Sequence, residues 1–210
     1  MTARLPAWWM QAWRVQTLRL MLCGLLLALA ACEKVPPKFS GIDITGGKGF
    51  GTDFRLTDHT GKPRTLADFR GKVVVMFFGF TQCPDFCPTT LSDLNKAVKS
   101  MGSDGGSVQV LFVTVDPHRD KPELLAKYVP AFNPSFIGLY GDDAAIKKTA
   151  KDFQIVHAIQ EGQTPESYTV SHSTNTLVFD PAGRLRLFHP YGMAPNLMAE
   201  DFKVLLKEKT

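Results

Sequence analysis

Cys83 and Cys87 sit in the stretch Phe78-Gly79-Phe80-Thr81-Gln82-Cys83-Pro84-Asp85-Phe86-Cys87-Pro88-Thr89-Thr90, and no other cysteine follows Cys32. A bridge between residues so close in sequence closes too small a loop to brace a fold, so the pair points to chemistry. Pro88 disfavours helical angles at Cys87 and suits a first helical position, which predicts a helix beginning just after Cys87. Sulfurs at a helix N-terminus face free backbone N–H groups, which favour thiolate over thiol. Thiolates serve either disulfide exchange or a soft metal ion. The Cys-x-x-x-Cys spacing is one residue wider than the Cys-x-x-Cys of thioredoxin-type oxidoreductases and leaves room for an ion between the sulfurs.

The elements that hold this motif are readable on both sides of it. Lys72 to Phe80 is a continuous apolar, β-branched and aromatic run, the pattern of a strand buried on both faces. Thr89 to Met101 carries Leu91, Leu94 and Val98 at helical spacing, and Ser107 to Val115 returns to strand. A hairpin is expected around the Thr60-Gly61-Lys62 turn. Further on come a helix at about 122 to 128, a strand at 136 to 139 and a helix at 142 to 153. Two strands at 174 to 179 and 184 to 189 follow, and a closing helix runs from about 195 to 207. Parallel βαβ units followed by an antiparallel pair predict an α/β fold of thioredoxin-like type, a mixed sheet with helices on both faces.

Two thiolates suit Cu(I), and stable binding across Cu(I) and Cu(II) also wants an imidazole. His172, in Tyr168-Thr169-Val170-Ser171-His172-Ser173, precedes the strand at 174, and in a thioredoxin-like sheet that loop approaches the cysteine junction. Taken alone, a histidine beside serines in a loop is more often a solvated surface residue than a ligand. The segments 71 to 91, Val113-Thr114-Val115-Asp116-Pro117-His118-Arg119-Asp120 and 168 to 173 together resemble the three motifs of the Sco/SenC family. That resemblance spans Phe54 to the C-terminus. It implies a copper metallochaperone that serves cytochrome c oxidase at its CuA site, with Cys83, Cys87 and His172 as ligands of one copper ion. The chain departs from the family pattern at Gln82, where many members have His, and at Ser171, where many have Asp beside the ligand histidine.

Other residues are open to plainer readings. Asp85 is either a loop carboxylate in solvent, or a functional group that repels a second thiolate or accepts hydrogen bonds from loop N–H groups. Asp116, Arg119 and Asp120 are expected to shape the loop after the second buried strand through an ion pair. His59, His118, His157 and His189 are expected on the surface. The leading alternative function is a thiol-disulfide oxidoreductase that reduces oxidase-subunit cysteines, with Cys83 as nucleophile and Cys87 as resolver. A peroxiredoxin would need Pro and Thr where Met76 and Phe80 stand, and the chain has no Cys-x-x-Cys-His haem motif. A resident CuA centre would need His and Met at positions held by Leu91 and Leu94, and structural zinc lacks a clear fourth ligand.

The N-terminus adds an address. Residues 1 to 31 hold Arg4, Arg14 and Arg19 and no acid, then the apolar run Leu20 to Cys32, too short to span a bilayer. The run ends in Leu29-Ala30-Ala31-Cys32, which resembles a bacterial lipobox. Residues 1 to 31 are therefore expected to be a lipoprotein signal peptide, Cys32 the lipidation site, 32 to 51 a linker and 52 to 210 the copper-binding domain. The domain would be tethered to the membrane in the periplasm of the bacterial envelope, where other copper carriers and thiol reductants are further expected partners. Beyond that segment 21 of the 24 Lys and Arg face 20 Asp and Glu, a balance with no electrostatic footprint for nucleic acid.

Overall fold

The structure is a computed structural model that describes residues 38–162 and 167–208. Cys32 and the segment expected to be a signal peptide lie outside the described residues. The described residues from Phe39 onward make one compact unit.

Its centre is β4 (Val73–Gly79), whose seven residues are all buried, as the unbroken apolar run requires. β4 pairs in parallel with β5 (Val108–Thr114), and β5 in parallel with β6 (Ile137–Tyr140). On its other side β4 pairs antiparallel with β9 (Thr176–Phe179), which pairs antiparallel with β10 (Leu185–His189). Short β2 (Leu56–Asp58) and β3 (Pro63–Arg64) extend the β6 edge as the expected hairpin, and β1 (Ile42–Asp43) extends the β10 edge. The eight-stranded order is β1-β10-β9-β4-β5-β6-β2-β3. Helices α1 (Phe86–Ser100), α2 (Pro122–Phe132), α3 (Asp143–Asp152) and α4 (Pro195–Lys207) cover the two faces, with α1 packed against α4. This is the thioredoxin-like mixed sheet anticipated above.

Three features differ from expectation. The stretch read as linker is not free from Phe39 onward: β1 joins the sheet, and Asp201 of α4 accepts the N–H groups of Ser40 at 2.8 Å and Gly41 at 2.9 Å. The same carboxylate pairs with Nε2 of His189 at 2.9 Å. His189 is therefore a core residue, 1% exposed and stacked on Phe202, where a surface histidine was expected. The third feature is a separate two-stranded antiparallel ribbon of β7 (His157–Gln160) and β8 (Thr169–His172), in a stretch with no strand pattern in the sequence.

Candidate metal centre

The site forms where α1 leaves β4 and the β7–β8 ribbon folds over that junction. The helix starts at Phe86, two residues earlier than Pro88 suggested, so Cys87 lies in its first turn and Pro88 is its third residue. Proline is tolerated there because the first turn's N–H groups have no intrahelical partner in any case. Cys83 accepts the Cys87 N–H on its sulfur at 3.4 Å, so the helix end does bond one sulfur. Gly79 is a requirement of close approach: a Cβ there would lie 2.8 Å from the Cys87 sulfur and 2.9 Å from the Phe112 ring.

Cys87 is fully buried and Cys83 is 7% exposed, and both are free thiols. Burial, with the neighbouring Cys83, pushes the Cys87 thiol far above its ordinary range, against the expectation that the helix end leaves both sulfurs as thiolates. The desolvation of a sulfur at the sheet's core outweighs the partial charge of one helix terminus. His172 ends β8 with Nε2 3.6 Å from the Cys87 sulfur. Its Nδ1 lies 2.8 Å from the Ser173 carbonyl, which can only accept. Nδ1 therefore carries the proton, and Nε2 turns a lone pair toward the sulfurs. Burial holds the His172 imidazole below its ordinary range, which favours the neutral, ligating form. Burial and Lys147 do the same for His157.

The ligand atoms of Cys83, Cys87 and His172 all lie within 4.8 Å of one another, a group that can hold a metal ion. The 3.6 Å between the Cys87 sulfur and His172 Nε2 would let both atoms serve one ion. The donor set is two soft sulfurs and one borderline nitrogen. The rings of Phe77 and Phe80 meet the His172 ring edge-on at centroid distances of 6.1 and 6.0 Å.

The loop after β5 does more than the sequence suggested. Arg119 donates from Nε to Asp116 at 2.5 Å, and from Nη1 to the Tyr168 carbonyl at 2.8 Å and to Gln82 Oε1 at 3.2 Å. The Tyr168 hydroxyl donates to Asp116 at 2.7 Å, and the guanidinium lies 3.6 Å from the Tyr168 ring centroid. One arginine thus ties the ribbon bearing His172 to the loop bearing Cys83. The ion pair expected of Arg119 is with Asp116. Asp120 instead accepts the Thr81 N–H, the Thr81 hydroxyl at 2.6 Å and the Thr114 hydroxyl at 2.6 Å, which fixes the start of the cysteine loop. Asp85 is the plain loop carboxylate: it is exposed, and the Thr89 hydroxyl donates to it at 3.3 Å.

The departures at Gln82 and Ser171 find their places here. Gln82 is the exposed end of the Arg119 tie. Ser171 is exposed, and its hydroxyl meets the Ala158 carbonyl and Gln160, so the Ser173 carbonyl orients the imidazole instead. His118 is exposed, with Nε2 3.2 Å from Asp143, and Nδ1 of half-buried His59 accepts the Gly138 N–H at 3.0 Å.

The family model described as SCO1/SenC matches residues 42–207. The chain belongs to the SCO1/SenC family. Among SCO1/SenC relatives, the human mitochondrial protein SCO2 homolog is 38% identical over 133 residues, covering 62% of this chain and 50% of the human one. The chain spans about half the length of the curated relatives it matches first. ScoI of Bradyrhizobium japonicum, solved with copper bound, superposes with a TM-score of 0.69 at 33% identity, covering 74% of this chain and 99% of that one. A SCO1/SenC family lipoprotein from Bacillus anthracis strain Ames superposes with a TM-score of 0.63 at 28% identity, covering 74% and 94%.

Proposed function

We propose that this SCO1/SenC protein is a copper-binding factor of cytochrome c oxidase assembly that holds one copper ion between Cys83, Cys87 and His172 and passes it to the CuA site of an oxidase subunit. The observation that carries the reading is the convergence of two sulfurs and an imidazole within 4.8 Å, with the Nε2 lone pair directed at the sulfurs. Copper, when bound, supplies a soft cation that takes the place of the thiol protons, so loading releases protons. The protein's part is to hold the sulfurs on the β4–α1 junction, to orient the imidazole through Ser173 and to exclude water with Phe77 and Phe80.

Burial weighs against thiol-disulfide exchange as the main activity. A nucleophilic cysteine needs an accessible thiolate, whereas Cys87 is fully buried with its thiol pushed up and Cys83 is nearly as enclosed. The lipobox motif and the lipoprotein among the structural relatives support anchoring through Cys32, with the domain in the periplasm. Among the described residues no helix is long and apolar enough to cross a membrane. A Cys32→Ala chain should lose both lipid label and membrane attachment.

The test of delivery is complementation at limiting copper in cells lacking the native protein. His172→Ala should keep thiol exchange and fail to restore oxidase activity. Full rescue by His172→Ala, with none by Cys83→Ser, would contradict delivery and favour the reductase.

A further inference from the structure

Cys83, Cys87 and His172 make three ligands, which is a complete set for Cu(I) and one short of the four-coordinate tetragonal arrangement that Cu(II) prefers. The other acceptors around the centre are engaged. Asp116 is held by Arg119 and Tyr168, Asp120 by Thr81 and Thr114, and the Gln82 carbonyl by Arg119. Asp85 is exposed beside Thr89.

His157 is different. It is the Cα partner of His172 in the antiparallel ribbon. The adjoining pair, Val156 and Ser173, is joined by the Ser173 N–H donating to the Val156 carbonyl at 2.9 Å. Hydrogen-bonded and non-hydrogen-bonded pairs alternate along such a ladder, so His157 and His172 form a non-hydrogen-bonded pair. In that geometry both side chains leave the same face and their Cβ atoms approach to about 4.5–5.5 Å. The inward face of β8 is the one bearing buried Val170 and His172, and His157, alone in β7, is half-buried. Its ring nitrogens make no hydrogen bond among the described residues, so turning the ring breaks none. His157 is not in the trio within 4.8 Å, and a change of χ1 rotamer moves an imidazole nitrogen by several ångströms.

We infer that His157 is the fourth ligand of Cu(II) in this protein, swinging onto the ion from the strand opposite His172 and leaving Cu(I) to the other three. This rests on copper occupying the Cys83, Cys87 and His172 centre. The ribbon thereby supplies two imidazoles and the sheet two sulfurs. The same ribbon sets the preference between oxidation states, because a borderline ion gains from a second nitrogen and Cu(I) does not need it.

The test loads the full chain, thiols reduced, with one equivalent of Cu(II) and counts coordinated imidazoles by pulsed electron paramagnetic resonance. Native protein should show two imidazoles, and His157→Ala and His157→Gln one. Cu(II) affinity in both variants should fall by roughly tenfold or more, the range seen even for the loss of ligand-supporting groups, while Cu(I) affinity holds. A single imidazole in the native protein, or the same spectrum and Cu(II) affinity in native and variants, would overturn the assignment and leave the copper reading standing. A native chain that binds neither ion would overturn both.

Discussion

The two halves of the metal centre are built to different standards of rigidity. The sulfurs sit at the end of β4, the most enclosed strand of an eight-stranded sheet, with Cys87 against Gly79 and Phe112. The imidazoles sit on a two-stranded ribbon whose other residues are mostly exposed and which is joined to the cysteine loop by one guanidinium. A lone two-stranded ribbon is marginal by itself, so its position depends on such ties. The difference teaches that the sulfurs of Cys83 and Cys87 are placed by the core and the imidazoles by the polar tie of Arg119, Asp116 and Tyr168, so the two can be perturbed separately.

The largest effect on copper binding should come from the core side, where a sulfur ligand of either oxidation state is displaced. Gly79→Ala forces a Cβ to within 2.8 Å of the Cys87 sulfur and 2.9 Å of Phe112. Overpacking of this kind costs about 1–3 kcal/mol, and it displaces a ligand. Both denaturant midpoint and copper affinity for either oxidation state should drop. A stable Gly79→Ala protein with native copper affinity would remove the claim that close packing places Cys87.

On the ribbon side, Arg119→Ala leaves the Asp116 carboxylate, 3% exposed, without its cation. Stranding a buried charge in this way typically costs about 3–5 kcal/mol, an upper figure here because Tyr168 still bonds Asp116. The sharper readout is selective: amide exchange in β7 and β8 should quicken and Cu(II) affinity fall, with Cu(I) affinity less affected. Tyr168→Phe removes only the hydroxyl bond to Asp116 and should do the same more weakly, by about 1.5–3 kcal/mol at most. Equal loss of both oxidation states in these variants would erase the distinction between the halves.

A pH effect belongs to the far edge of the sheet. Burial alone would raise the Asp201 carboxyl, but His189 and the N–H groups of Ser40 and Gly41 hold it below its ordinary range. A carboxyl depressed on folding contributes stability that is present above the unfolded value, about 3.9, and lost as pH falls through the folded one. Asp201→Asn should therefore flatten the acid limb of the stability profile and free the segment at β1, seen as faster exchange at residues 40 to 44. The smallest effect should be at Ser171. Ser171→Ala loses exposed contacts to Ala158 and Gln160 and should leave copper affinity unchanged.

Much of the sheet was legible because its strands are apolar throughout: Val73–Gly79 and Val108–Thr114 admit no other reading once the helix between them is seen. The ribbon was not, since His157–Gln160 and Thr169–His172 mix polar and apolar residues over four positions each, too short for a period to register. β1 was hidden for a related reason, being two residues in a Gly-rich stretch. The cysteines announced themselves by spacing and neighbours. His172 stood out only through the family resemblance, and His157 not at all, because its place is set by strand register. His189 was misplaced because a pairing with Asp201 of α4 leaves no local mark.

The central claim is that one copper ion sits between Cys83, Cys87 and His172. X-ray absorption at the copper edge of the full chain, reduced and loaded with one equivalent of Cu(I), tests it most directly. The account predicts a shell of two sulfurs and one nitrogen, with one sulfur lost in Cys83→Ser and in Cys87→Ser and the nitrogen lost in His172→Ala. A shell without sulfur, or one unchanged by all three substitutions, would contradict it.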